Sequence, residues 1–231
     1  QRPVVIRQQR FGMLHPSADA IGNVLLDIPV RALTMAVFNI VLYFMTGLAY
    51  RADKFFIFFF TVMLLTFTMV TFFRMVTAWT RSVAVATMIA GLVIIDSALY
   101  AGYAIPRPSM VVWWRWLSYC NPIAFGFEVL ITNEFREMNL PCKQMFPPVP
   151  GVSPQNQVCP VAGARPGETI IDTLRYAGIQ YGYTWSNTHR NIGIVIGFWV
   201  FFIICYMIGS EFQTDPAASG GVMIFLSLIH I

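Results

Sequence analysis

Charge is scarce in this chain: Asp, Glu, Lys and Arg make up 11% of its 231 residues, against about 25% in soluble domains. Only two of those charges are lysines, Lys54 and Lys143, and neither follows a glycine. A G-x-x-x-x-G-K phosphate-binding loop is therefore missing, and with it any sign of nucleotide chemistry carried by this stretch. The three histidines, His15, His189 and His230, lie far apart and lack metal-ligand spacing. No Ser/His/Asp grouping rises above chance, so neither a catalytic nor a metal site is expected. The net charge of +4 is spread along the loops, without the basic run that nucleic-acid binding needs. No N-x-[ST] sequon occurs, and N-glycosylation is not expected. Residues 1–10 are polar and basic, unlike a secretory signal. Gln1 in place of an initiator methionine points to a piece of a longer chain.

What is abundant is apolar surface. Hydrophobic residues make up 57% and aromatics 15%, with 20 Phe and 12 Met. This composition reads as an all-α integral membrane chain with four transmembrane helices and a large extracellular loop. Residues 1–28 form a polar cytosolic segment, and residues 29–105 hold three spans at roughly 30–50, 55–73 and 83–104. The loop covers residues 106–190, the last span 191–209, and a cytosolic C-terminal segment 210–231. Each span is near the twenty residues that a ~30 Å hydrocarbon core requires. Before the first span, Ser17 is a candidate helix cap and Asp19 falls in the first turn, where the helix dipole favours an anion. Ile21, Leu25 and Ile28 follow at helical spacing, giving a segment that either lies on the bilayer or docks on a cytosolic partner. Asn39 is the one strongly polar residue inside the first span. In the second, Thr61, Thr66, Thr68 and Thr71 are expected to serve packing.

The short loops carry the topology. Arg2, Arg7, Arg10, Arg31, Arg74 and Arg81 flank one side, and Arg51 with Lys54 the other. The positive-inside rule then places both termini in the cytosol and residues 106–190 outside. That outer loop opens at Pro106 and Pro108, which end a helix. It continues through Trp113, Trp114 and Trp116 around Arg115, the composition of an interfacial belt. Asn121-Pro122 makes a second break, and residues 123–135 read as a helix too short to cross a bilayer. Such a helix either re-enters the membrane against protein or lies on its surface. Cys142 and Cys159 flank the Pro/Gly-rich stretch at residues 147–151, and an oxidising compartment favours a disulfide between them, with Cys120 as the competing partner. Cys205 lies in the last span as a packing residue.

Two carboxylates stand out. Asp96 sits among apolar residues in the third span, where a charge is costly unless it faces a cavity or a partner. Glu128 poses the same problem in the short outer helix, where a structural pair with Arg107 or Arg115 outweighs a role in transport. On the residues alone, an ion-coupled carrier or channel built around Asp96 remains open. So does a membrane scaffold with an adhesive outer loop.

Several motifs recur in order: HPSADA at 15–20, YFMTGL at 43–48, FFRMVTA at 72–78 and YAGYAIPRPSM at 100–110. W-x-x-W-x-x-Y-x-N-P follows at 113–122, FE-x-L-I-x-NEF at 127–135, VCPVAGARPGE at 158–168 and HRNIGI at 189–194. From about residue 11 to 209 the chain resembles the first transmembrane domain of fungal pleiotropic-drug-resistance ABC transporters, exporters of the ABCG type. The resemblance implies spans three to six of a six-span domain. It casts residues 11–27 as the coupling helix that meets a nucleotide-binding domain, with Asp19, Ile21 and Leu25 as the docking residues. The outer loop becomes the third extracellular loop, its re-entrant helix opening at Asn121 and Pro122 and carrying Glu128. Residues 211–223 look like the start of a linker, and 226–231 match nothing there and read as a cloning or read-through scar.

The implied partners are membrane lipid, nucleotide-binding domains, a second transmembrane domain and hydrophobic small molecules. The implied cofactors are ATP and Mg, held outside this stretch, and the implied location is the plasma membrane. Transport would follow alternating access. Asp96, Ser97, Tyr100 and Tyr103 are the expected pathway residues, with Asp96, Tyr100 and Tyr103 on roughly one helical face.

Overall fold

A computed structural model describes residues 15–80, 82–147 and 153–212. Arg2, Arg7, Arg10 and Arg81, which bear on the orientation expected from sequence, lie outside the described residues, as do residues 213–231 with the expected linker and scar. Helix α1 covers Pro16–Met45, α2 Ala52–Trp79, α3 Val83–Leu99. In the segment between α3 and the last helix, α4 covers Arg115–Cys120, α5 Pro122–Phe135 and α6 Thr173–Tyr181, and α7 closes the described chain at Thr188–Phe212. Strands β1 (Asn139–Pro141) and β2 (Ile170–Asp172) pair antiparallel, with Leu140 opposite Ile171. Contacts divide the fold into two units. The first gathers the described parts of Gln1–Thr34, Phe67–Leu92 and Trp199–Ile231, the second Met35–Thr66 and Val93–Phe198.

α1, α2 and α7 are long and apolar enough to cross a membrane, whereas α3 is a shorter apolar helix of 17 residues. The fold is all-α membrane architecture with one two-stranded ribbon, and of the four expected spans three reach full membrane length. α2 forms because no glycine or proline interrupts Ala52–Trp79 and the run is Phe-, Met- and Leu-rich throughout.

α1 corrects the expected boundary between residues 28 and 29. The polar segment and the first span are one continuous helix that runs through Pro29. Proline removes one ladder bond, but the Asp27–Arg31 ion pair, 2.9 Å at i,i+4, straddles it and supports that turn. Ser17 does not cap the helix. Pro16 takes the first position, which needs no amide donor, and the Ser17 amide donates instead to Glu211 Oε1 at 3.1 Å.

The third span ends at Leu99 rather than near residue 104. Gly102 has φ +98, and a Cβ there would collide with the Tyr183 hydroxyl. A left-handed backbone pressed against a tyrosine requires glycine, and helix cannot pass through it. The last helix exceeds its expected limits at both ends, starting at Thr188 and reaching Phe212.

Candidate functional site

The segment between α3 and α7 is built around α5. Asn121 stands ahead of it as cap, its Oδ1 accepting from the Ile123 amide at 3.0 Å, and Pro122 fills the first turn. The Asn121 Nδ2 group donates to the Ser97 carbonyl at 3.0 Å, so one side chain both starts α5 and ties it to the end of α3.

Two turns further on, Glu128 is 1% exposed. Its carboxylate accepts from Arg107 Nη1 at 2.8 Å, from Asn187 Nδ2 at 3.3 Å and from the Thr184 amide at 3.5 Å. A buried carboxylate with several donors is a stable arrangement, whereas the same group alone would be costly. Of the two arginines open on sequence grounds, Arg107 is the partner; Arg115 donates to the Met110 carbonyl at 3.4 Å. The Arg107 guanidinium also lies 5.4 Å from the Phe125 ring and 5.7 Å from that of Tyr183, and its Nε and Nη2 have no hydrogen-bond partner among the described residues. The charge is thus shared between a carboxylate and two ring faces. Burial pushes the Tyr183 hydroxyl up to about 12; Arg107 opposes that shift and Glu128 adds to it.

The far end of α5 is held by residues that the sequence did not single out. Lys54 is buried in the first turn of α2, not in a loop, and its Nζ donates to the Glu134 carbonyl at 2.8 Å. Asn133 Nδ2 returns a bond to the Lys54 carbonyl at 2.9 Å, and the Ala49 amide donates to Glu134 Oε1 at 2.9 Å. Arg136 pairs with Asp53 and stacks 4.7 Å over Trp185. The signal for this clasp was the NEF triplet at 133–135, legible as a motif but silent about its partner. Beyond α5, Cys142 and Cys159 are bonded, closing a separation of 17 residues, while Cys120 and Cys205 are free.

Of the expected pathway residues, Asp96 and Ser97 lie in α3, and the Tyr100 amide still donates to the Asp96 carbonyl at 2.9 Å. Asp96 is half-buried in α3 and Ser97 is buried beside it. No ion pair among the described residues involves Asp96. Tyr100 and Tyr103 lie past the end of the helix, on either side of the turn at Gly102. Tyr103 is 67% exposed and meets Phe127 edge-on at 6.0 Å. At the other end of the chain, Asp19 accepts from Asn23 Nδ2 at 2.9 Å within α1, and Ile21 and Leu25 are exposed. Chemically, Glu128 is neutralised by Arg107, whereas no ion pair among the described residues does the same for Asp96.

Known proteins place this architecture. Residues 145–228 match the family described as CDR ABC transporter. The chain is 36% identical over 225 residues to "ABC multidrug transporter atrA" of Aspergillus oryzae, an alignment covering 97% of the chain and 15% of that protein. It is 38% identical over 227 residues to "ABC-type transporter oblD" of Cochliobolus heterostrophus, covering 97% and 15%. With "ABC multidrug transporter A-2" of Aspergillus fumigatus it shares 36% over 228 residues, covering 97% and 15%. The chain therefore spans about 15% of the length of the curated relatives it matches. Residues 1–135 match the family described as ABC-2 type transporter. That match runs through α1, α2 and α3 and stops where α5 stops, and by it this multi-pass membrane chain belongs to the ABC-2 type transporter family.

Proposed function

We propose that the chain forms part of the translocation pathway of an ATP-driven exporter of hydrophobic compounds at the plasma membrane. The observation that carries this is the match along nearly the whole chain to proteins named as multidrug transporters, joined to three membrane-length helices. ATP and Mg are held by nucleotide-binding domains of the longer protein, and α1 takes their motion through Asp19, Ile21 and Leu25. Both ends of the described chain face the cytosol, and α5 re-enters the membrane from outside. Affinity in such a pathway comes from apolar and aromatic surface with few polar anchors, which suits loose specificity. Asp96, half-buried and without an ion pair among the described residues, is the anchor for cationic substrates, with Ser97 and Tyr100 beside it in sequence.

The test is efflux of one cationic and one neutral compound at two external pH values, wild type against Asp96→Asn. Removing one charge-assisted contact is worth about 1.5–3 kcal/mol, roughly ten- to a hundredfold in affinity. The loss should fall on the cation and spare the neutral compound. Loss of both, together with loss of pH dependence, would instead make Asp96 the proton site of an ion-coupled carrier.

A further inference from the structure

We propose that Arg31, Arg74 and Trp199 form a seat for the phosphate of a membrane phospholipid. The proposal needs only that the chain spans a bilayer, and stands apart from the transport reading above. α1, α2 and α7 enclose a cavity of about 10 Å³ lined in part by Asp27, Arg31, Arg74 and Trp199, with Ile28 and Val70 on its apolar wall. That volume takes a single oxygen-sized group.

The cavity is rich in donors. Arg31 Nε donates to Asp27 Oδ2 at 2.9 Å, and an Nη of Arg74 pairs with the same oxygen. One carboxylate thus faces two guanidinium groups, each with five N–H donors, and the three charges sum to +1. Trp199 Nε1 is buried and has no hydrogen-bond partner among the described residues. A water would leave the excess charge uncompensated; a phosphate oxygen accepts from guanidinium and indole alike and neutralises it.

Depth and surroundings name the source of that phosphate. Residues 55–73 carry no charge, and nineteen helical residues rise about 28 Å, close to the ~30 Å hydrocarbon thickness. Arg74 is the next residue, at the level where lipid phosphates lie. The Arg31 and Arg74 side chains keep 39% and 25% of their surface open. Apolar residues lie beside the charged group, and exposed Val30 and Leu33 continue along α1. Charge at one end and apolar surface along the other is the pattern of a phospholipid, not of a free anion.

The experiment is native mass spectrometry of the intact protein that carries this chain, titrated with phosphatidylglycerol, with a diacylglycerol of the same acyl chains, and with inorganic phosphate as competitor. Wild type should retain phosphatidylglycerol in preference to diacylglycerol, and inorganic phosphate should not displace it. Arg31→Gln and Arg74→Gln should each weaken one binding event about tenfold, and Arg31→Lys should restore part of it. Arg31→Gln leaves the Arg74–Asp27 pair in place, so it decides the matter should Arg74→Gln fail to fold. Unchanged retention in Arg31→Gln, or equal retention of diacylglycerol, overturns the proposal. Displacement by inorganic phosphate overturns the lipid in favour of a free anion.

Discussion

The long helices and the segment between α3 and α7 are stabilised in opposite ways. In α1, α2 and α7 only 11%, 17% and 17% of the most apolar window is buried within the chain, so most of their surface is left for lipid or for further helices. In α5, eight of 14 residues are buried. Around it stand a buried ion pair, a disulfide, a lysine clasp and a two-stranded ribbon. The reason is the solvent. Apolar helices in a bilayer satisfy their own backbone and gain little from touching one another, whereas irregular chain depends on side-chain partners for most of its buried polar groups.

The comparison can be broken most forcefully at Glu128. Glu128→Ala strands Arg107 in a buried site, and such half-removals cost about 3–5 kcal/mol. Thermal unfolding of the intact protein should drop accordingly, and the paired change Arg107→Met with Glu128→Leu should recover part of the loss. A Glu128→Ala protein as stable as wild type would mean the segment is not organised by that pair.

Next in size is the disulfide. Cys142→Ser opens a loop of 17 residues, worth about 3 kcal/mol on the chain-entropy argument. The loss should appear as easier proteolysis of that loop, matched in wild type by reductant. Identical cleavage with and without reductant would show that the ribbon and α6 hold the loop unaided.

Asn121→Ala is expected to cost about 1–2 kcal/mol, from the lost helix cap and the lost bond to the Ser97 carbonyl. Asn121→Asp should keep the cap and lose the second bond. If the two variants melt alike, the bond to α3 contributes nothing.

The smallest stability effect belongs to Leu25, 59% exposed on α1. Leu25→Asp should change stability by no more than about 0.5 kcal/mol, yet uncouple ATP hydrolysis from efflux with surface expression intact. Normal efflux at normal expression would remove the docking role.

Much of the spanning region was legible from residues alone, because composition and periodicity report local energetics. α2 contains the whole charge-free run at 55–73. α5 begins at the Asn-Pro break and ends at Phe135 as the pattern indicates. Where the sequence reading fell short, two non-local facts intervened. Tyr183 lies 82 residues from Ala101, whose carbonyl its hydroxyl meets at 3.3 Å, and it packs against Gly102 just past the point where α3 ends, short of the expected limit near residue 104. Lys54 is 80 residues from Glu134, and nothing near it in sequence marks it as buried.

The amino-acid sequence by itself determined that this chain lives in a membrane, since 57% hydrophobic and 11% charged residues leave too little polar surface to face water. It also determined that Glu128 needs a cationic partner, because an isolated carboxylate on a buried helix is too costly to persist. The Cys142–Cys159 bond is the pairing that the sequence favoured over Cys120. Tertiary structure alone decided that α3 ends at Leu99 and that the partner is Arg107 and not Arg115. Local chemistry ranks the two arginines equally. Distance between residues far apart in the chain separates them, and only the packed fold sets that distance.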